Sequence, residues 1–260
     1  MSRELSQYLG QEAIRRCLTK QEEQGAWDRK RVMAARWVLT WKHIKEEDRR
    51  AAIEKGRAEG FSTVKSDGSA KAKARLVVLG FQHPDLGSPD YKTASPVVHP
   101  MTRNLLLQQI AWRRWTITSC DAASAFLQAA PSEEGKEIFT TGVPELAIAL
   151  GATPGEALRI LRAVYGLTTD PRAFWVDVGE KVKGIGGHPI YGDPCTWIFM
   201  QGDLVIGACA CHVDDFIIAG DRNNSAWLQI ERRLKSLYGW GSHDEGAFRF
   251  AGIDFRQRRD

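Results

Sequence analysis

The stretch Asp203-Leu-Val-Ile-Gly-Ala-Cys-Ala-Cys-His-Val-Asp-Asp-Phe-Ile-Ile-Ala-Gly220 decides the fold. From Leu204 to Cys211 every residue is apolar or glycine, the pattern of a strand buried on both faces. Phe216 to Ala219 is a second apolar run, so Asp214 and Asp215 fall at or beside a hairpin turn. Side chains alternate along a strand, so one aspartate faces a site while its neighbour supports it, unless the turn bends both inward. Adjacent carboxylates at the ends of apolar strands repel and lose hydration, and therefore favour a cation. Mg²⁺ takes oxygen ligands of this kind. On this stretch alone an acidic surface turn reads equally well.

Outward from that hairpin, composition bounds the answer. A chain of 260 residues makes one large domain or two small ones. Hydrophobic residues at 43% and charged residues at 26% are ordinary for a soluble globular protein. No run has the length of a membrane span, and the N-terminus carries no apolar leader, so we expect an intracellular protein, cytoplasmic or nuclear, neither secreted nor membrane-bound. The net charge of +4 is compatible with a nucleic-acid partner without requiring one. Cys17, Cys120, Cys195, Cys209 and Cys211 form no Cys-x-x-Cys pair and read as free thiols in a reducing compartment. A zinc site from Cys209, Cys211 and His212 is the alternative, set against a reading of both cysteines as small core residues.

Along the chain, residues 1–28 are polar with weak helical spacing, and we expect a loosely attached helical extension over residues 1–30. Trp37-Val-Leu-Thr-Trp-Lys42 and Lys73 to Phe81 read as two strands joined by a charged, partly helical connection over 43–70. A loop over 82–100 leads into a helix from about Pro100. Trp115-Thr-Ile-Thr-Ser-Cys120 alternates as a strand and delivers Asp121 at its end. Residues 131–158 look loop-rich, and Ile160 to Val164 strand-like. Asp170-Pro171 starts a helix with Phe174, Val178 and Val182 on one face. A further helix carries Trp227, Ile230, Leu234 and Leu237, and the chain closes on an aromatic strand over 248–259 with a basic tail.

Asp121, Asp214 and Asp215 thus end or link apolar strands. On adjacent strands such carboxylates hold two metals about 3.5–4 Å apart for in-line phosphoryl transfer. At this point the chain resembles the reverse transcriptases of copia-type LTR retrotransposons. The stretches that carry the likeness come in the family's order: Arg36-Trp-Val-Leu39, Lys73-Ala-Arg-Leu-Val77 with Gly80-Phe81, and Asp90-Tyr-Lys-Thr-Ala-Ser-Pro-Val-Val98. They continue with Trp115 to Asp121, Ala125-Phe-Leu127, Ala163-Val-Tyr-Gly-Leu167, Pro171-Arg-Ala-Phe-Trp175, Asp193-Pro194, Val213-Asp-Asp-Phe-Ile-Ile218 and Gly252-Ile253.

The resemblance implies an α+β fold, the fingers and palm of a right-hand polymerase, with an antiparallel palm sheet and helices on one of its faces. Fingers and palm would span 31–260, with thumb, connection and RNase H missing. It implies an RNA-directed DNA polymerase that joins a dNTP to a primer 3′-OH on an RNA or DNA template, using Mg²⁺ or Mn²⁺, within a longer Pol polyprotein. Asp121, Asp214 and Asp215 would be the catalytic and metal-binding residues, Asp215 in the lesser part. Lys73 and Arg75 would grip the triphosphate, with a solvated strand edge as their other reading. The amides of Ser124 and Ala125 would meet phosphates, Phe126 would be the gate under the deoxyribose, and Tyr165 and Gly166 would line the nascent base pair. Phe126 also reads as an ordinary core residue.

The chain departs from the family at His212, where Tyr is usual, and at Thr168-Thr169-Asp170, where a basic segment is usual. The basic residue expected near the end of the palm has no clear match around Gly239-Trp-Gly241; Lys235 and His243 are the nearest. The alternative to a polymerase is a truncated or decayed fragment that binds nucleic acid without polymerising.

Overall fold

The computed structural model describes residues 2–58, 63–129 and 137–258. The start of the expected loop at 131–136 and the basic tail at Arg259 lie outside the described residues. The chain divides into two units, residues 1–86 with 136–167 and residues 87–135 with 168–260.

In the first unit, strands Ala35–His43 and Ala70–Val78 pair antiparallel along nine residues, from Ala35 opposite Val78 to His43 opposite Ala70. Period-two alternation sorts their side chains. Trp37, Leu39 and Trp41 share one face with Leu76, Ala74 and Ala72, and Arg36, Lys42, Lys71, Lys73 and Arg75 lie on the other. Helix Ser2–Gly10 covers the outer edge of Ala70–Val78: the buried Tyr8 hydroxyl donates to the Leu76 carbonyl at 2.8 Å, and Glu4 accepts the Leu76 N–H at 3.4 Å. These bonds satisfy backbone groups that a bare strand edge exposes.

The N-terminal segment is therefore packed into this unit, where a loose extension was expected. Its residues 14–16, read as helical, are a strand, Ile14–Arg16, antiparallel to Leu158–Ile160. That pair continues through Phe139–Thr140 to Val32–Met33. The polar composition conceals this role because only Tyr8, Ala13, Ile14 and Ala26 among residues 3–28 are buried apolar anchors.

The second unit is built on a six-stranded, wholly antiparallel sheet. Its order is Trp240–Glu245, Thr116–Ala122, Asp215–Gly220, Leu204–His212, Asp193–Gln201, His188–Ile190. Two helices pack on one of its faces, and a third, Pro100–Trp112, reaches the other, where helices on a single face were expected. Helix Asp170–Gly184 sets Phe174 against Phe216, ring centroids 6.4 Å apart. Helix Ser225–Lys235, capped by Asn224, lays Trp227 on the paired glycines Gly207 and Gly220. A Cβ at either glycine would come within 2.1–2.2 Å of the indole, so the strand floor must be bare there.

The opposite face buries Ile117, Ala210, Ile217 and Ala219 with Phe248, Phe250 and Ile110, the last from helix Pro100–Trp112. The expected closing strand is a hairpin, Ala247–Phe250 with Ile253–Arg256. Positive φ at Ala251 (47°) and Gly252 (80°) makes the turn, a conformation that interrupts any single strand. The described part of the fold is thus α+β with an antiparallel central sheet.

Candidate active site

The three aspartates meet at one end of this sheet. The hairpin register sets His212 opposite Asp215, leaving Val213 and Asp214 as a two-residue turn. Val213 has φ +60° while Asp214 does not, the pattern of a II′ hairpin turn, which normally places glycine where Val213 stands. A β-branched residue at positive φ is strained, and such strain concentrates at functional sites. The neighbouring strand brings Asp121 directly opposite Asp215, and the Ala122 N–H donates to the Asp214 carbonyl at 2.9 Å.

Asp121, Asp214 and Asp215 consequently offer one oxygen each within 4.8 Å of one another, all three partly buried. Burial first, then the charges of Asp214 and Asp121, pushes Asp215 up to about 6, while the Ala251 amide pulls it back. Three carboxylates so close, in partial burial, resist carrying three charges unless a cation joins them. That donor set fits a hard divalent ion such as Mg²⁺ or Mn²⁺. The zinc alternative does not form: among the described residues no other group of three or more acidic, His or Cys side chains comes together, and burial pushes the Cys209 and Cys211 thiols well above their usual value.

Around the triad, Ser124 adopts a left-handed conformation (φ 51°) and opens the short helix Ala125–Gln128, which carries Phe126. Phe126 is only partly buried; its ring meets Phe174 edge-on at 6.3 Å, and Phe174 in turn touches Phe216 and Tyr238. His212 packs edge-on against Phe250 at 6.1 Å, with Nδ1 buried and without a hydrogen bond among the described residues. His243 pairs with Cys120 in the strand register and its Nδ1 lies 3.4 Å from the Cys120 thiol. Lys235 is engaged by Glu231 at 2.6 Å.

The remaining predicted residues gather in the first unit. Gly166 (φ 105°) turns the chain against strand Ala70–Val78, and the Val78 N–H donates to the Tyr165 carbonyl at 2.8 Å. The approach is so close that a Cβ on Gly166 would lie 2.0 Å from the Val78 carbonyl oxygen. The Arg75 guanidinium then stands over the Tyr165 ring at 6.0 Å, and Lys73 lies two residues earlier on the same basic face. Residues some ninety positions apart are thereby assembled in one place. Gln128 and Gly241 touch the segment around Asp121; a lone glutamine gives no sequence signal, and Gly241 stands out only within the Gly239-Trp-Gly241 segment, with no contact to Asp121 implied.

The family profile described as reverse transcriptase (RNA-dependent DNA polymerase) matches residues 28–260. The chain belongs to the copia-type reverse transcriptase family. It is 31% identical over 159 residues to the retrovirus-related Pol polyprotein from transposon RE2 of Arabidopsis thaliana, covering 60% of this chain and 10% of that protein. With the corresponding RE1 polyprotein of the same plant it shares 30% over 195 residues, 74% of this chain and 13% of the relative. The chain therefore spans about a tenth of the length of the curated relatives it matches. Among solved structures, a foamy viral protease–reverse transcriptase in complex with double-stranded DNA aligns at TM-score 0.31 and 14% identity, over 77% of this chain and 31% of that one. The matched range of the family profile includes the three aspartates and the basic strand with its Tyr165-Gly166 turn.

Proposed function

We propose that this chain carries the nucleotidyl-transfer site of an RNA-directed DNA polymerase. It would extend a primer 3′-OH with a dNTP on an RNA or DNA template. The observation that carries the reading is Asp121 opposite Asp215 with Asp214 at the turn, three partly buried carboxylates within 4.8 Å. Asp121 and Asp214 would hold the divalent ions, and Asp215, steadied by the Ala251 amide, would contribute charge to the same place. Bound Mg²⁺ or Mn²⁺ would supply Lewis-acid stabilisation of charge on the attacking and leaving oxygens.

The protein's own groups do the rest. Lys73 and Arg75 offer cations for the triphosphate, with Arg75 braced over the Tyr165 ring. The Ser124–Ala125 turn presents backbone amides where small side chains allow close approach. Phe126 stands beside the triad's strand as the wall against a 2′-OH, and Tyr165 with Gly166 lines the base pair. The positioning of primer, template and nucleotide accounts for much of the acceleration in such transfers.

The test is primer extension on a poly(A) template with Mg²⁺ or Mn²⁺. Metal-dependent dTTP incorporation that Asp214→Asn abolishes is the expected result. Nucleic-acid binding without any incorporation would favour the non-polymerising alternative.

A further inference from the structure

Asp121 is the last carboxylate-bearing residue before its strand turns away, so its position depends on what holds that turn. Gln128 does so with its whole carboxamide. Nε2 donates to the Ala123 carbonyl and, at 2.9 Å, to the Gly239 carbonyl, while Oε1 accepts the Gly239 N–H at 2.6 Å. The Ala123 N–H donates to the same Gly239 carbonyl at 2.9 Å. A side-chain amide thus stands in for a peptide unit, joining the turn after Asp121 to the residue that leads into the edge strand Trp240–Glu245. The consequence for the site lies two residues further on. Gly241 sits in a register shift opposite Asp121, and a Cβ there would lie 2.9 Å from Asp121 Oδ2. The segment 239–241 is the wall against which the carboxylate rests, and Gln128 sets how far that wall stands from the 121–123 backbone.

We propose that Gln128 is a positioning residue for Asp121, and that Gly241 is kept bare so that the carboxylate can occupy the place Gln128 defines. The inference rests on the metal-binding reading of the triad. Hydrogen-bonded partners behind a metal ligand commonly change metal affinity by about 10–100-fold when removed. Gln128 is partly exposed and belongs to a helix of four residues, so its carboxamide contributes to geometry more than to burial. Gln128→Met keeps the length and removes every polar contact.

The test measures Mn²⁺ affinity by electron paramagnetic resonance and single-amide hydrogen exchange by NMR, without turnover. Wild type is compared with Gln128→Met, Gly241→Ala, Asp214→Asn and the exposed control Gln108→Met. Gln128→Met should bind Mn²⁺ about tenfold more weakly or worse. Its Ala123 and Gly239 amides should exchange faster, and its melting temperature should stay close to that of wild type. Gly241→Ala should weaken Mn²⁺ as well while leaving the Ala123 amide protected, because it presses on the carboxylate without opening the clamp. In primer extension, kcat should fall in both variants with KM for dNTP little changed. Wild-type Mn²⁺ affinity in either folded variant overturns the proposal. If wild type and Asp214→Asn bind Mn²⁺ equally poorly, the metal reading fails instead. The clamp is then judged by exchange alone, and unchanged rates at Ala123 and Gly239 in Gln128→Met overturn it.

Discussion

Two partly buried carboxylates, Glu22 in the first unit and Asp215 in the second, meet opposite surroundings. In the first, Glu22 accepts from Arg15 at 2.7 Å, from Arg159 at 3.0 Å and from the Leu18 N–H at 2.7 Å. The Arg15 hydrogen bond leads the causes that hold it down to about 2. In the second, Asp215 shares its surroundings with Asp121 and Asp214 and is pushed up to about 6. A carboxylate surrounded by cations joins helix Lys20–Asp28 to strands Ile14–Arg16 and Leu158–Ile160. Carboxylates surrounded by each other work against the fold unless a cation joins them. The contrast separates an acid that builds the structure from acids that the structure tolerates.

Neutralising one member of each group should therefore have opposite signs. Asp214→Asn should reduce primer extension on the order of a thousandfold or more, the scale of several kcal/mol of lost charge stabilisation. The same change should leave the metal-free melting temperature unchanged or raise it, because it relieves repulsion. Activity near wild type would remove the basis for a metal-dependent site. A clear loss of stability would make Asp214 a structural residue like Glu22.

Glu22→Gln should do the reverse. It leaves Arg15 and Arg159 facing a neutral amide, and loss of this partly buried network should cost on the order of 2–3 kcal/mol. Urea unfolding followed at the first unit measures it. Loss below about 0.5 kcal/mol would place the cluster among surface ion pairs of little consequence.

How far this contrast was legible in the sequence differs between the units. The hairpin around Asp214 and the strand ending at Asp121 were legible because uninterrupted apolar runs end at the acids themselves. The edge strand Trp240–Glu245 was not, since all but Trp240 of its residues are exposed and none repeats with period two. Strand Asp193–Gln201 was read only as a short Asp-Pro motif, although buried Cys195, Trp197 and Phe199 alternate along it. In the first unit, the ribbon 35–43/70–78 was legible from its aromatic and β-branched residues. The attachment of the N-terminus was not: it depends on Tyr8, Glu4 and Glu22 meeting partners 68, 72 and 137 residues away, which local pattern cannot express. Lys73, Arg75, Tyr165 and Gly166 are candidates through family resemblance alone, and close backbone approach at Gly166 supplies the physical reason that glycine stands there.

Phe126 sharpens the comparison from the functional side. If its partly exposed ring walls off a 2′-OH, a clash of about 1.4 kcal/mol gives a tenfold preference for dNTP. Phe126→Ala should then raise the rNTP/dNTP incorporation ratio about tenfold and keep much of the dNTP activity. If the edge contact with Phe174 is instead core packing, the change should cost roughly 3–5 kcal/mol and depress both activities together. An unchanged ratio in a folded variant would remove the gate.

The smallest expected effect is the most direct test of the opposed environments, because it reads protons rather than turnover. Asp215 binds its proton more tightly folded, at about 6, than at the ordinary value of 3.8. Its ionisation therefore works against the fold, and that penalty disappears as pH falls from above 6 to below 4. Glu22 is the mirror case: its stabilisation is present above 4.5 and is lost as pH falls from there through about 2. Asp215→Asn cannot ionise, yet its side-chain oxygen still accepts from the Ala251 amide. With EDTA present, it should melt above wild type near about pH 7.5, and the gap should close by about pH 4. Groups such as Glu4, whose burial also raises its value, titrate alike in both proteins and cancel in the difference. A gap that does not change between these pH values would show that Asp215 titrates like a free carboxylate. Closure of the gap on adding Mn²⁺ at about pH 7.5 would show the ion taking over the charge that the neighbouring acids resist.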